Sequence, residues 1–149
     1  MSTVHVEIDI AAPAGVVFDT VMDPQRLAEW VTIHRSLSHV SPDPVRAGAT
    51  MDQVLTLHGV HFKVHWTLTK VEPPREAEWQ GRGPALSKAR IRYQLSGPEG
   101  GPTRFKYTNE FRTPGGPLGN VASRLVVGSA SEREARDSLS KLRALIEHG

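Results

Sequence analysis

Thr103-Arg104-Phe105-Lys106-Tyr107-Thr108-Asn109-Glu110-Phe111-Arg112-Thr113-Pro114-Gly115-Gly116-Pro117-Leu118 decides the architecture, because the spacing of the inward residues changes within it. Up to Arg112, the set Phe105, Tyr107, Asn109 and Phe111 alternates with Arg104, Lys106, Thr108 and Glu110, the period of two that a half-buried strand requires. Thr113 to Pro117 is a cluster of helix and strand breakers. After it, Leu118, Val121, Leu125, Gly128, Glu132, Ala135, Leu139, Leu142 and Ile146 step by three and four, marking one face of a helix. A continuous helix over 118–147 is on the order of 45 Å long at ~1.5 Å per residue, with Gly128-Ser129 as a place to kink. A helix of that length crosses a whole domain and needs a broad sheet to lie on.

The sheet is written upstream. Val4, Val6, Ile8 and Ile10 alternate with His5, Glu7 and Asp9 in a first strand. Pro13 then opens a short helix carrying Val16, Val17, Phe18, Val21 and Met22, and Asp23-Pro24 separates it from a second one that runs through Leu27 to Trp30. Six strands follow, over Ile33–Val40, Thr50–His58, Val60–Val71, Ala77–Arg82, Lys88–Ser96 and Thr103–Arg112, punctuated by proline and glycine turns. Short connections favour consecutive antiparallel pairing. The predicted class is α+β, in the order β-α-α-β6-α, with a seven-stranded antiparallel sheet and a long C-terminal helix. At 149 residues, 38% hydrophobic and 23% charged, the chain is expected to form a single domain over 1–149.

Composition removes several chemistries. The chain has no cysteine, so disulfides, thiolate metal sites and thiol nucleophiles are excluded. Met1 to Glu7 lacks a basic segment leading into an apolar run, and no apolar stretch reaches the ~18 residues of a membrane span, so a cytoplasmic protein without a signal peptide is expected. His61 and His65 share a strand face but stand about 13 Å apart at ~3.3 Å per residue, too far to share an ion. They read with Lys63 as a solvated row. His58 and His61 flank Gly59 without a third ligand, and His34 and His39 fall on opposite faces. Gly128-Ser129-Ala130-Ser131 is not a nucleophile elbow, Gly81-Arg82-Gly83 lacks the pattern of a dinucleotide site, and there is no Walker sequence. No metal and no cofactor is implied.

The order of elements, the Ala12-Pro13-Ala14-Gly15-Val16-Val17-Phe18 opening, Asp23-Pro24 through Leu27 to Trp30, the Val71-Glu72-Pro73-Pro74 strand exit and the Pro-Gly-Gly-Pro entry to the terminal helix resemble the polyketide cyclase and START-related superfamily, SRPBCC. The resemblance covers almost the full length. It implies a helix-grip fold, in which a curved sheet wraps the C-terminal helix around an elongated apolar cavity. It also implies carriage of lipids, sterols or polyketide-derived molecules, polyketide cyclisation or dehydration, or, in one bacterial branch, interaction with the ribosome.

Alternation names the residues that face such a cavity. Met51, Gln53, Leu55 and Leu57 form one row; Phe62, Val64, Trp66 and Leu68 another; then Ala77, Trp79 and Gly81; Ile91, Tyr93 and Leu95; and Tyr107, Asn109 and Phe111. On pattern alone they fill a core or line a cavity, and the superfamily resemblance selects the cavity. The candidate ligand-binding set is Trp30, Gln53, Phe62, Trp66, Trp79, Tyr93, Tyr107, Asn109, Leu125, Gly128 and Glu132. Gln53, Tyr93, Tyr107 and Asn109 are polar points on a dry face, where each needs a partner or a ligand. Glu132 is the candidate catalytic carboxylate if it points inward beside Gly128; the alternative is a surface pair with Arg136 at i+4. Trp30 either gates an entrance or caps the core. Lys88, Arg90, Arg92, Arg104, Lys106 and Arg112 fall on outward faces of neighbouring strands, interrupted by Glu110 and Glu78, and form a basic surface or a solvated exterior. The expected partner is a hydrophobic small molecule rather than nucleic acid, bound by a monomer or homodimer.

Overall fold

The computed structural model describes residues 2–57, 59–112 and 129–149, with the elements in the expected order. They are β1 (Ser2–Ile10), α1 (Ala14–Val21), α2 (Leu27–Trp30), β2 (His34–Ser38), β3 (Thr50–Leu57), β4 (Val60–Glu72), β5 (Glu76–Arg82), β6 (Lys88–Ser96), β7 (Thr103–Arg112) and α3 (Ser129–His148). His58, the breaker cluster at 113–117 and the expected helical residues 118–128, Leu125 and Gly128 among them, lie outside the described residues.

Local chemistry sets the element ends. Pro13 stands at the N-cap of α1, where its missing N–H costs nothing. Asp23 accepts from the backbone N–H of Gln25 at 3.0 Å and so starts the single 3₁₀ turn that leads into α2. β2 is shorter than the expected Ile33–Val40. It is an edge strand with a register shift between His34 and Ser36, and His39 directly after it has φ of 52°, which ends the extended run.

All seven strands form one antiparallel sheet in the order β1-β7-β6-β5-β4-β3-β2. Each hairpin pairs with the next, and β1 adds to the far edge beside β7. The helices α1 and α2 carry the chain from the β1 edge to the β2 edge, and α3 packs against β1, α2 and α1. The side chains of β3 are buried strictly in alternation, with Met51, Gln53, Leu55 and Leu57 inward. Trp30, Phe18, Phe105, Ile10, Leu139 and Leu142 are almost inaccessible to solvent; burying each large apolar side chain is worth about 1.5–3 kcal/mol relative to leaving it exposed. Gly81 on β5 pairs with Trp66 on β4, and a Cβ there would sit 2.7 Å from the indole and from Val64. The indole occupies that space because the position has no side chain.

On the outer face Glu110 and Glu78 interrupt the basic rows as expected, which favours the solvated exterior over a basic surface. The basic residues there do not form a continuous positive surface, since neighbouring strands interleave them with acids. Arg90 contacts Glu110 at 2.6 Å and Glu78 at 3.4 Å, Arg92 reaches the same Glu78 at 3.5 Å, and Arg104 binds Glu7 and Asp9 at 3.0 Å each. Register is the reason: Arg90 stands opposite Glu110, Arg92 opposite Glu78 and Arg104 opposite Asp9.

Candidate ligand-binding cavity

A cavity of about 150 Å³ lies between the inner face of the sheet, α1, α2 and α3. Trp30, Gln53, Phe62, Trp66, Trp79, Tyr93, Tyr107 and Asn109 all line it, drawn from α2 and five successive strands. Val21, Met22, Leu27, Met51, Leu55, Val64, Ile91 and Leu139 supply much of the remaining wall. The sheet brings the strand residues together because its inward rows stack side by side; α2 brings Trp30 by folding back over them.

Trp30 is packed in the core and forms part of the cavity wall. It is 2% exposed, and its ring lies 6.4 Å from that of Tyr93, tilted by 60°. Tyr93 in turn stands 5.5 Å from Phe105 and 6.2 Å from Tyr107, directly across the β6–β7 pair. These separations suit tilted aromatic contacts. Burial pushes both phenols up: Tyr93 well above the ordinary tyrosine range, with a smaller push from Tyr107, and Tyr107 to about 12, the Asn109 amide acting in the opposite direction. Both hydroxyls are therefore neutral donors at physiological pH.

Gln53 is the hub of a buried hydrogen-bonded chain. Its Oε1 accepts from the Trp66 indole at 2.9 Å, and its Nε2 lies 2.9 Å from Nδ1 of His34. Burial holds His34 below the ordinary histidine range. Sequence reading missed this role of His34, since the bond crosses from β2 to β3 and depends on their register.

The carboxylate at the cavity is Glu134 and not Glu132. Glu132 is exposed and bonds Arg136 at 2.8 Å one turn on, the surface pair that spacing allows. The buried face of α3 comprises Ala135, Ser138, Leu139 and Leu142, and its centre lies ~70° from Glu132 on one side and ~90° from Glu134 on the other at 3.6 residues per turn. Glu134 stands at the opposite edge of that face and lines the cavity together with Ser138. Thr32, in the link between α2 and β2, donates its hydroxyl to Glu134 at 2.6 Å and its backbone N–H to the Ser138 hydroxyl oxygen at 3.1 Å. The signal for this was Ser138, a small polar residue at the edge of an otherwise apolar stripe, one turn on from Glu134.

On the outer face His61 bonds Thr56 at 2.7 Å, and His65 and His39 both contact Asp52, at 2.5 and 3.1 Å. The His65 bond is the largest influence holding the Asp52 carboxyl below its usual range. Among the described residues no group of three His, Asp or Glu side chains is arranged to hold a metal ion, and no helix is long and apolar enough to cross a membrane.

Comparison with known proteins agrees with this geometry. The family described as polyketide cyclase/dehydrase and lipid transport matches residues 1–147. An uncharacterised Mycobacterium tuberculosis protein, Rv1546, is 27% identical over 133 residues, covering 89% of this chain and 93% of that protein. The toxin Rv0910 of the same organism is 23% identical over 141 residues, covering 93% and 94%. Among solved structures, the Zhui aromatase/cyclase from a Streptomyces species superposes with a TM-score of 0.77 at 15% identity, covering 98% of this chain and 93% of that one. TTHA0849 from Thermus thermophilus gives 0.76 at 18% identity, with 97% of each chain covered. At such identities the structures speak to the fold, a curved seven-stranded sheet with a C-terminal helix, known as the helix-grip fold. The chain belongs to the polyketide cyclase/dehydrase and lipid transport family, whose fold is one that binds hydrophobic ligands.

Proposed function

We propose that this protein binds a small hydrophobic molecule in the cavity between sheet and helices. One observation carries the proposal: the wall is built from apolar and aromatic side chains of six strands and three helices, converging on a space of about 150 Å³ with few polar groups, which is how small-molecule sites are made. The reading extends to a single ligand-binding domain in a cytoplasmic setting, with which the cysteine-free composition is compatible. The test is native mass spectrometry of freshly purified protein together with titration of an apolar fluorescent dye. A bound small molecule, or saturable dye binding lost on substituting Trp66 or Tyr93 with bulkier or charged residues, is the expected result; neither a bound molecule nor dye binding in a folded sample overturns it.

A second reading is catalysis of the cyclase or dehydratase type in the same cavity. Glu134 favours it, as a carboxylate in an apolar wall within reach of a bound molecule and oriented by Thr32. Such a group accepts a proton from a ligand held beside it. Turnover of an aromatic-forming polyketide substrate that is abolished in Glu134→Gln and retained in Glu132→Gln is the outcome this reading requires.

A further inference from the structure

We propose that the ligand of this cavity is an uncharged molecule of about one ring that carries a hydroxyl group, recognised by the indole N–H of Trp30 and the side-chain carbonyl of Asn109. The proposal rests on the reading of the cavity as a ligand site and names the class of ligand.

The polar atoms of the wall divide into two sets. The Trp66 indole and the Gln53 amide are spent on each other and on His34, and Glu134 and Ser138 are engaged by Thr32. Trp30 Nε1 and Asn109 Oδ1 are different: both are buried, both belong to lining residues, and among the described residues neither atom has a hydrogen-bond partner. Buried polar groups in native proteins are nearly always paired, so an orphan donor and an orphan acceptor on lining residues of one cavity mark what a ligand would supply. Indole can only donate and an amide oxygen can only accept. A hydroxyl answers both needs, accepting from Trp30 or donating to Asn109.

Charge narrows the class. Among the described residues no lysine or arginine lines the cavity, and the one charged lining residue is the carboxylate Glu134. A carboxylate or phosphate head group buried here lacks a counter-ion and faces a like charge. The tyrosines are neutral, so they do not alter this balance. Size narrows it again. A cavity of about 150 Å³ matches the volume that accommodates a single benzene ring, and Trp30, Tyr93 and Tyr107 offer aromatic surfaces around it.

Phenol, toluene and benzoate separate these requirements, since phenol and toluene differ only in hydroxyl against methyl and benzoate adds a charge. Binding to the whole chain is measured calorimetrically at pH 7, with the apolar dye in a parallel titration. Phenol is expected to bind about tenfold or more tighter than either of the others, the gain of one to two buried hydrogen bonds. Asn109→Leu and Trp30→Phe are each expected to weaken phenol about fivefold while leaving toluene within about twofold. Toluene or benzoate binding as tightly as phenol overturns the proposal, and that comparison needs no variant to fold. If the dye binds and phenol shows no preference, the hydroxyl inference fails and the cavity reading stands; if neither dye nor any of the three binds, both fail.

Discussion

The indole Nε1 of Trp66 donates to Oε1 of Gln53 across 2.9 Å in the buried wall of the cavity. Indole nitrogen has no acceptor capacity, so this bond fixes which end of the Gln53 amide faces Trp66. The NH₂ end then faces His34, whose Nδ1 must accept at 2.9 Å. A side chain on the cavity wall thus determines the tautomer of a histidine at the sheet edge.

His34 is accordingly expected to carry its proton on Nε2 and to titrate below about 6.5, because burial disfavours the charged ring. The sign follows from linkage. A folded-state value below the unfolded one means that the unfolded chain binds the proton first as pH falls. The contribution of His34 to stability is therefore complete above about pH 6.5 and declines below it, levelling off below the folded value. Ring-nitrogen NMR checks this; an Nδ1–H tautomer at neutral pH, or a midpoint above 6.5, contradicts it.

Alkaline titration tests the aromatic wall. The chain has two tyrosines, so the phenolate absorbance near 295 nm reports on Tyr93 and Tyr107 alone. Burial raises both, Tyr107 to about 12 and Tyr93 further. Their neutral forms stabilise the fold fully below about pH 10, the unfolded value, and that stability is lost as pH rises toward the folded values. Ionisation is expected to coincide with unfolding as seen by circular dichroism. A tyrosine that ionises near pH 10 in the intact fold refutes the buried placement.

Gly81→Ala is expected to destabilise by about 1–3 kcal/mol, since its Cβ falls 2.7 Å from Trp66 and Val64 and the indole has to move. Gly15→Ala serves as the contrast. Position 15 lies in the first turn of α1 with nothing within 4 Å of the added Cβ, and the change is expected to stabilise by about 0.4–1 kcal/mol. Urea unfolding of both variants gives the comparison, and equal effects from the two would remove the close-packing account of Gly81.

Glu132 and Glu134 are two residues apart and should behave oppositely. Glu132→Ala loses only a surface pair with Arg136 and is expected to change stability by less than about 0.5 kcal/mol, without effect on dye binding. Glu134→Ala leaves the hydroxyl of Thr32 without its 2.6 Å acceptor and enlarges the cavity wall. It is expected to change dye affinity at least about threefold and to cost about 1 kcal/mol. Dye titration alongside urea unfolding checks both, and a reversed pattern would place α3 in a different rotation.

Much of the architecture was legible in the chain. The strand rows containing Gln53, Trp66, Trp79, Tyr93 and Tyr107 were readable because alternation is a property of the extended backbone itself, repeating every two residues whatever lies opposite. The turn prolines and glycines then fixed the strand order, as short connections leave consecutive pairing as the simple solution. The rotation of α3 was not readable to the needed accuracy. Ser138 is polar yet buried at the Glu134 edge of that face, so a stripe drawn through apolar residues alone was turned toward Glu132.

By itself, then, the sequence determined the order of elements and the inward rows of the sheet, rich in aromatic groups. Tertiary structure decided which polar atoms meet: Gln53 with His34 and Trp66, Thr32 with Glu134 and Arg90 with Glu110, while among the described residues Trp30 Nε1 and Asn109 Oδ1 are left without a partner. The physical reason is range. Alternation and breakers act between neighbours in the chain, whereas a hydrogen bond depends on strand register and helix rotation to within a few tenths of an ångström, and those are set by the packing of the whole molecule.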